Sequence, residues 1–132
     1  TQVVLPLLES DLLTVMQAVT AGKLRETEVR FSEKSACCVI MASKGYPEKY
    51  EKGFEIDIPE EILENTYIAG AELKDGRLLT NGGRVLGVTA VEETLPAAVA
   101  RAYALSDRVH FENAYRRQDI GAQALLAVKG ER

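Results

Sequence analysis

Apolar residues at the start of the chain fall at Val4, Leu5, Leu8, Leu12, Val15, Met16 and Val19. A recurrence of about 3.6 residues is the mark of a helix with one apolar face. Pro6 and Ser10 interrupt the run, so two short helices are expected, the second capped by Ser10 or Asp11 and stopped at Gly22. Residues 23–34 are charged and aperiodic apart from a Val29–Phe31 alternation, which reads as a connector or an edge strand. From Ala36 to Ala42 the residues are continuously apolar over a strand's length, and the turn formers Ser43-Lys44-Gly45-Tyr46-Pro47 end the run. Phe54, Ile56 and Ile58 alternate with Glu55 and Asp57, the pattern of a strand with one wet face, and Pro59 closes it.

Tyr67 to Leu73 and Arg77 to Thr80 flank Asp75-Gly76, a favoured two-residue hairpin turn. Asn81-Gly82-Gly83 reads as a second turn leading into Arg84 to Val91, so a three-stranded antiparallel meander is expected between about 67 and 91. A helix follows, with Thr94 as N-cap, Pro96 in its first turn, and Leu95, Val99, Ala102, Leu105 and Val109 along one face. Asp119 is a candidate cap for a last short helix over Ile120 to Val128, after which residues 129–132 trail off. Helices, then an antiparallel meander, then more helices predict an α+β fold, with the helix at 94–109 covering the sheet.

Composition narrows the chemistry. A chain of 132 residues suits one domain. Sixteen basic against twenty acidic residues give a net charge of −4, so no broad positive field recruits nucleic acid or an anionic membrane. No apolar run approaches the roughly 18 residues a spanning helix needs, and no basic-then-apolar leader opens the chain. Cys37 and Cys38 are adjacent and point to opposite faces of a strand, so no disulfide framework is expected; reduced thiols fit a cytoplasmic setting. The single His110 offers neither zinc spacing nor a nucleophile motif, so no catalytic or metal residue is expected here. The chain opens on Thr1, directly in an apolar stretch, and is expected to be a piece of a longer polypeptide.

Of the remaining motifs, Thr80-Asn81-Gly82-Gly83-Arg84 is the most suggestive. Two glycines let the backbone approach a ligand, successive amides can cradle an anion, and Arg84 can bind phosphate or carboxylate with two donors. The same residues also read as a plain hairpin turn followed by a surface arginine. Lys44 in the Ser43–Pro47 loop lacks the surroundings of a phosphate loop. The acidic residues from Glu48 to Glu64 are interspersed with Lys49 and Lys52, a solvated face. The tyrosines form no base-stacking stripe and read as core and rim. Arg116-Arg117 followed by Asp119 reads as a local ion pair or a phosphate contact.

Taken together, the opening Thr1-Gln2-Val3-Val4-Leu5-Pro6-Leu7-Leu8, then ASKGYPEKYEKG (42–53), TNGGRVLGVTA (80–90) and FENAYRRQDIG (111–121), in this order and spacing, carry a resemblance. The chain resembles the C-terminal part of the phosphoribosylamine–glycine ligase family (glycinamide ribonucleotide synthetases), ATP-grasp enzymes of purine biosynthesis. The resemblance implies a reaction joining 5-phosphoribosylamine to glycine with ATP and magnesium through a glycyl phosphate, the nucleotide and metal ligands lying in preceding domains. It implies that residues 1–22 are the last helices of the ATP-grasp region. Residues 23–132 would be the small C-terminal domain, a rudimentary barrel-sandwich hybrid covered by helices.

By resemblance, Gly82, Gly83 and Arg84 face the cleft and meet a substrate or nucleotide phosphate, with Arg117 and Asp119 as weaker candidates from the closing motif. The chain departs from the family where Phe-His-Ala-Gly-Thr is replaced by Tyr67-Ile68-Ala69-Gly70-Ala71, and where Gly-Trp-Arg is replaced by Gly121-Ala122-Gln123. Those positions are not expected to be sites. The fragment alone is expected to be inactive, with small-molecule partners met together with the N-terminal domains. Two alternatives stand beside this reading: a free-standing, non-catalytic interaction module, for which Lys74 would be the exposed hairpin lysine, and the C-terminal domain of another purine-pathway ATP-grasp enzyme.

Overall fold

The computed structural model describes residues 1–130. The chain begins with a 3-10 turn at Leu5–Leu7 and helix α1 at Leu12–Thr20. Asp11 is the N-cap of α1, its carboxylate accepting from the Thr14 amide at 2.7 Å, while Ser10 instead accepts from the Arg30 amide through its hydroxyl. An isolated bridge joins Leu8 to Phe31, so residues 23–34 fold back along the opening segment as a connector. No residue before Cys37 is buried.

The core begins with β1, Ser35–Ser43. It lies in a four-stranded antiparallel sheet between β5 (Arg84–Glu92) and β6 (Ala114–Tyr115), with β2 (Thr66–Ile68) on the far side of β5. Helix α2, Leu95–Ser106, packs across β1 and β5. Thr94 caps it through its hydroxyl, and Ala98, Val99, Ala102, Leu105 and Ser106 are its buried residues. Val109 lies past the helix end but is buried with them. Val39, Val85 and Val88 are fully buried beneath this layer, each contributing about 1.5–3 kcal/mol over an exposed position. Cys37 shares this core, where burial pushes its thiol pKa up, while Cys38 on the opposite face is half-buried; both are free thiols.

The expected meander is corrected in one respect. Strands β3 (Ala71–Lys74) and β4 (Arg77–Thr80) form the expected hairpin, with Asp75 at φ +50° and Gly76 at φ +76°, both in the left-handed region this turn requires. The stretch expected as one strand from Tyr67 to Leu73 breaks at Ala69-Gly70, and β4 does not pair with β5: the hairpin is a separate two-stranded sheet. Asn81-Gly82-Gly83 is therefore a crossing between sheets, not a hairpin turn. The physical reason is a close pass of Gly82 over Gly70, with the Asn81 amide donating to the Gly70 carbonyl at 2.8 Å and the Gly70 amide to the Arg84 carbonyl at 2.9 Å.

Residues 53–58 are extended but form bridges, not a continuous strand. Ile56 donates to Leu78 on one side while Asp57 exchanges backbone bonds with His110 on the other, so the segment hands its pairing from β4 to the loop after α2. The expected inward face is kept: Ile56 is buried, Glu55 and Asp57 are exposed. The last helix, α3, spans Ala122–Lys129 with Gly121 at its N-cap position. Asp119 does not cap it by side chain, because its carboxylate is held by Arg117. Of the expected tail, residues 131 and 132 lie outside the described residues.

Candidate functional site

The face of the sheet opposite α2 is where the candidates gather. Directly opposed residues in an antiparallel pair project to the same side. The register therefore sets Cys38 with Thr89, Ile40 with Gly87 and Tyr67, and Ala42 with both Arg84 and Tyr115, in rows across this face. Gly87 leaves room for the neighbouring side chains: a Cβ there would lie 2.9 Å from the Cys38 sulfur. Two cavities open on this face. One, of 450 Å³, has an apolar floor of Cys38, Ile40, Ala42 and Ile120, and Arg84, Arg117 and Tyr115 around it. The other, of 430 Å³, is bounded by Gly83, Arg84, Leu86, Gly87, Ala69 and Gln2. Tyr46, Ile40 and Arg84 line both.

Arg84 is exposed and has no carboxylate partner among the described residues. The turn before it is braced from below by Ser43, which is fully buried. The Ser43 amide donates to the Gly83 carbonyl at 2.8 Å and its hydroxyl to the Gly82 carbonyl at 3.1 Å. Among the described residues, the amides of Gly82 and Gly83 donate to no protein acceptor. The glycines lie outside the left-handed region, so they are not required by backbone conformation. They are required by space: a Cβ on Gly82 would meet the Gly70 Cα at 2.8 Å, and one on Gly83 would meet the Tyr46 ring at 2.0 Å.

The five residues singled out in the sequence thus separate. Gly83, Arg84 and Arg117 line the two adjoining cavities, while Gly82 is set back at the crossing and Asp119 lines a third cavity beside the start of α3. Arg117 and Asp119 face each other as an exposed pair, with Nε to Oδ1 at 2.7 Å. The hydrogen bond from Arg117 and its charge hold the Asp119 carboxyl below the usual carboxylate range, and reciprocally raise the guanidinium. Arg116, the neighbour, is committed to structure: it bonds Ser106 and Asp107 and lies over the Tyr103 ring, 5.1 Å from its centre. Lys44 lies in a separate cavity with Lys49, Tyr50, Glu51 and Asn113.

Ser43 and Tyr46 were not separable from ordinary turn and rim residues in the sequence; only the contact of their loop with Gly82-Gly83 reveals their place. As for a divalent cation, among the described residues no three histidine, cysteine, aspartate or glutamate side chains converge to hold one. This donor set does not fit magnesium.

A small α+β domain with antiparallel sheets, carrying an unpaired arginine on a glycine crossing, is the class this geometry defines. Residues 36–123 match the family described as phosphoribosylglycinamide synthetase, C domain, and the chain belongs to that family. It is 45% identical over 123 residues to the phosphoribosylamine–glycine ligase of Caldanaerobacter subterraneus subsp. tengcongensis, covering 92% of this chain and 30% of that protein. To the trifunctional purine biosynthetic protein adenosine-3 of Gallus gallus it is 42% identical over 135 residues, covering 99% of this chain and 14% of that protein. The crystal structure of the phosphoribosylamine–glycine ligase of Thermotoga maritima superposes with a TM-score of 0.67 at 40% identity, over 80% of this chain and 27% of that one. The chain thus spans less than a third of the length of these relatives. No helix among the described residues is long and apolar enough to cross a membrane.

Proposed function

We propose that the chain acts as the C-terminal part of an ATP-dependent ligase of purine biosynthesis that joins 5-phosphoribosylamine to glycine, and that it supplies the phosphate-facing wall of the active site. The observation that carries this reading is Arg84: an unpaired guanidinium at the boundary of two cavities, on a braced backbone with two amides free to donate. A positive group held in place before charge develops needs no reorganisation during phosphoryl and acyl transfer, which is where such a group is worth most. Arg84 binds the ribosyl phosphate in this reading, with Gly83 at its back and Arg117 as the next cation along the same cavity. Gly82 positions the turn, and Asp119 restrains Arg117. ATP and magnesium are the cofactors of the whole enzyme, held by its preceding domains in the cytoplasm.

The domain division follows the same reading. Residues 1–22 belong structurally with the preceding ATP-grasp region, which is supported by the absence of any buried residue in that stretch and by exposed Val3, Val4, Leu5, Leu12, Leu13, Met16 and Val19. Residues 23–132 form the C-terminal domain, whose separate β3–β4 sheet, tied to the extended 53–58 segment, is the reduced counterpart of a barrel-sandwich hybrid.

The test joins this segment to its N-terminal domains and replaces Arg84 by Ala and by Lys. The loss of one charge-assisted, two-donor phosphate contact is expected to raise KM for 5-phosphoribosylamine by about 10- to 100-fold. Lys restores part of it, since it keeps charge without the planar fork. Unchanged kinetics in Arg84→Ala would remove Arg84 from the site.

A further inference from the structure

Tyr46 lines both cavities together with Ile40 and Arg84, and its ring rests directly on the backbone of Gly83. The contact is close enough that a methyl group at position 83 has no space: its Cβ would meet three ring carbons of Tyr46, Cδ2, Cε2 and Cγ, at 2.0, 2.7 and 3.0 Å. The ring is also held from its own loop, since the Tyr46 amide donates to the Ser43 carbonyl at 3.1 Å, and Ser43 in turn holds both glycine carbonyls. One unit therefore carries the arginine and the ring. Tyr46 remains 40% exposed.

We infer that Tyr46 contacts substrate and sets its specificity, offering a ring face to the pentose of a sugar phosphate whose anionic end is on Arg84. The inference rests on the phosphate role proposed above for Arg84 and extends it to the part of the substrate that carries no charge. A tyrosine ring has a negative face that attracts the polarised C–H bonds of a sugar, and it buries apolar area with only two torsions to fix. A ligand entering either cavity toward Arg84 borders this ring, because Tyr46 and Arg84 line both. Gly83 serves the arrangement by lacking a side chain, so that the ring can seat.

The experiment measures KM separately for 5-phosphoribosylamine, glycine and ATP in the full-length ligase carrying this segment, with Tyr46→Phe, Tyr46→Leu, Tyr46→Ala and Gly83→Ala. Tyr46→Phe keeps the ring and is expected to match the parent. Tyr46→Leu keeps apolar bulk on Gly83 but has no ring face; loss of one stacking contact is expected to raise KM for the sugar phosphate by about tenfold, with the other two KM values within about twofold. Gly83→Ala displaces the ring and gives the same selective rise. Added to Tyr46→Ala it has little further effect, because the group it collides with is gone. A parallel rise of all three KM values in Tyr46→Leu, or additive effects of Gly83→Ala and Tyr46→Ala, overturns the inference. The Arg84→Ala variant separates the two levels. If Arg84→Ala raises KM for the sugar phosphate and Tyr46→Leu does not, only the tyrosine role fails; if Arg84→Ala has no effect, the phosphate reading fails with it.

Discussion

Gly70 and Gly82 cross back to back, close enough that a Cβ built on either would lie 2.8 Å from the other's Cα. The crossing is where the chain leaves the β3–β4 hairpin sheet and enters β5, and it is locked by the Asn81-to-Gly70 backbone bond. Replacing either glycine by alanine forces backbone against backbone, and overpacking of this kind costs about 1–3 kcal/mol. Gly70→Ala is the worse of the two, since its Cβ also meets the Arg84 carbonyl at 2.5 Å. Urea unfolding of both variants checks the order; equal stability of Gly70→Ala and the parent would remove the crossing as the reason for these glycines.

Much of this fold is legible in the amino-acid sequence. The Asp75-Gly76 turn, the strand from Ala36 to Ala42 and the Thr94-capped helix follow from local rules, because each depends on side chains within a few positions of one another. The split of Tyr67–Leu73 did not, since it is imposed by Gly82, a residue distant in sequence. The site divided the same way. Arg84 was visible beside two glycines, but the residue that explains Gly83 is Tyr46, whose loop resembles any other Gly-Pro turn until the two segments are brought together. Asp119 looked like a helix cap by position, and its capture by Arg117 two residues earlier won instead.

Tyr103 ties the closing loop to α2. Its hydroxyl donates to the Arg117 carbonyl at 2.9 Å and accepts from the Ile120 amide at 3.0 Å, so one atom satisfies both ends of a turn. Tyr103→Phe leaves that carbonyl and amide without their partner, at a cost of about 1–2 kcal/mol. Hydrogen exchange at the Ile120 amide is expected to accelerate more than exchange in β1. Uniform acceleration across the domain would mean the hydroxyl acts on global stability and not on this loop.

The cap of α1 is sensitive to acid. Asp11 accepts from both the amide and the hydroxyl of Thr14 at 2.7 Å, and these bonds hold its carboxyl pKa below the ordinary value. A depressed folded-state pKa means that the stabilisation is complete above the ordinary aspartate range and is lost as pH falls through the depressed value. The Thr14 amide resonance is therefore expected to shift with acid in the parent. In Asp11→Asn it stays flat, because the asparagine oxygen caps without titrating. An identical acid shift in the asparagine variant would assign the titration to another group.

Residues 1–34 carry ten of the large apolar residues that the fold leaves exposed, from Val3 and Val4 to Val29 and Phe31, and none of that stretch is buried. Their contacts are largely among themselves: Leu8 bridges Phe31, Glu9 donates to the Arg30 carbonyl, and Ser32 to that of Leu7. The buried core runs from Cys37 to Phe111 and takes nothing from this appendage. A chain starting at Ser35 is accordingly expected to unfold in one cooperative transition with a midpoint close to the parent's. It should also bind less of a dye that reports exposed apolar surface, because these ten exposed apolar residues are gone with it. Loss of cooperative unfolding in the shortened chain would show that the appendage supports β1 after all. Retention of the transition with reduced dye binding instead fits an apolar face made to be covered by the preceding part of a longer protein.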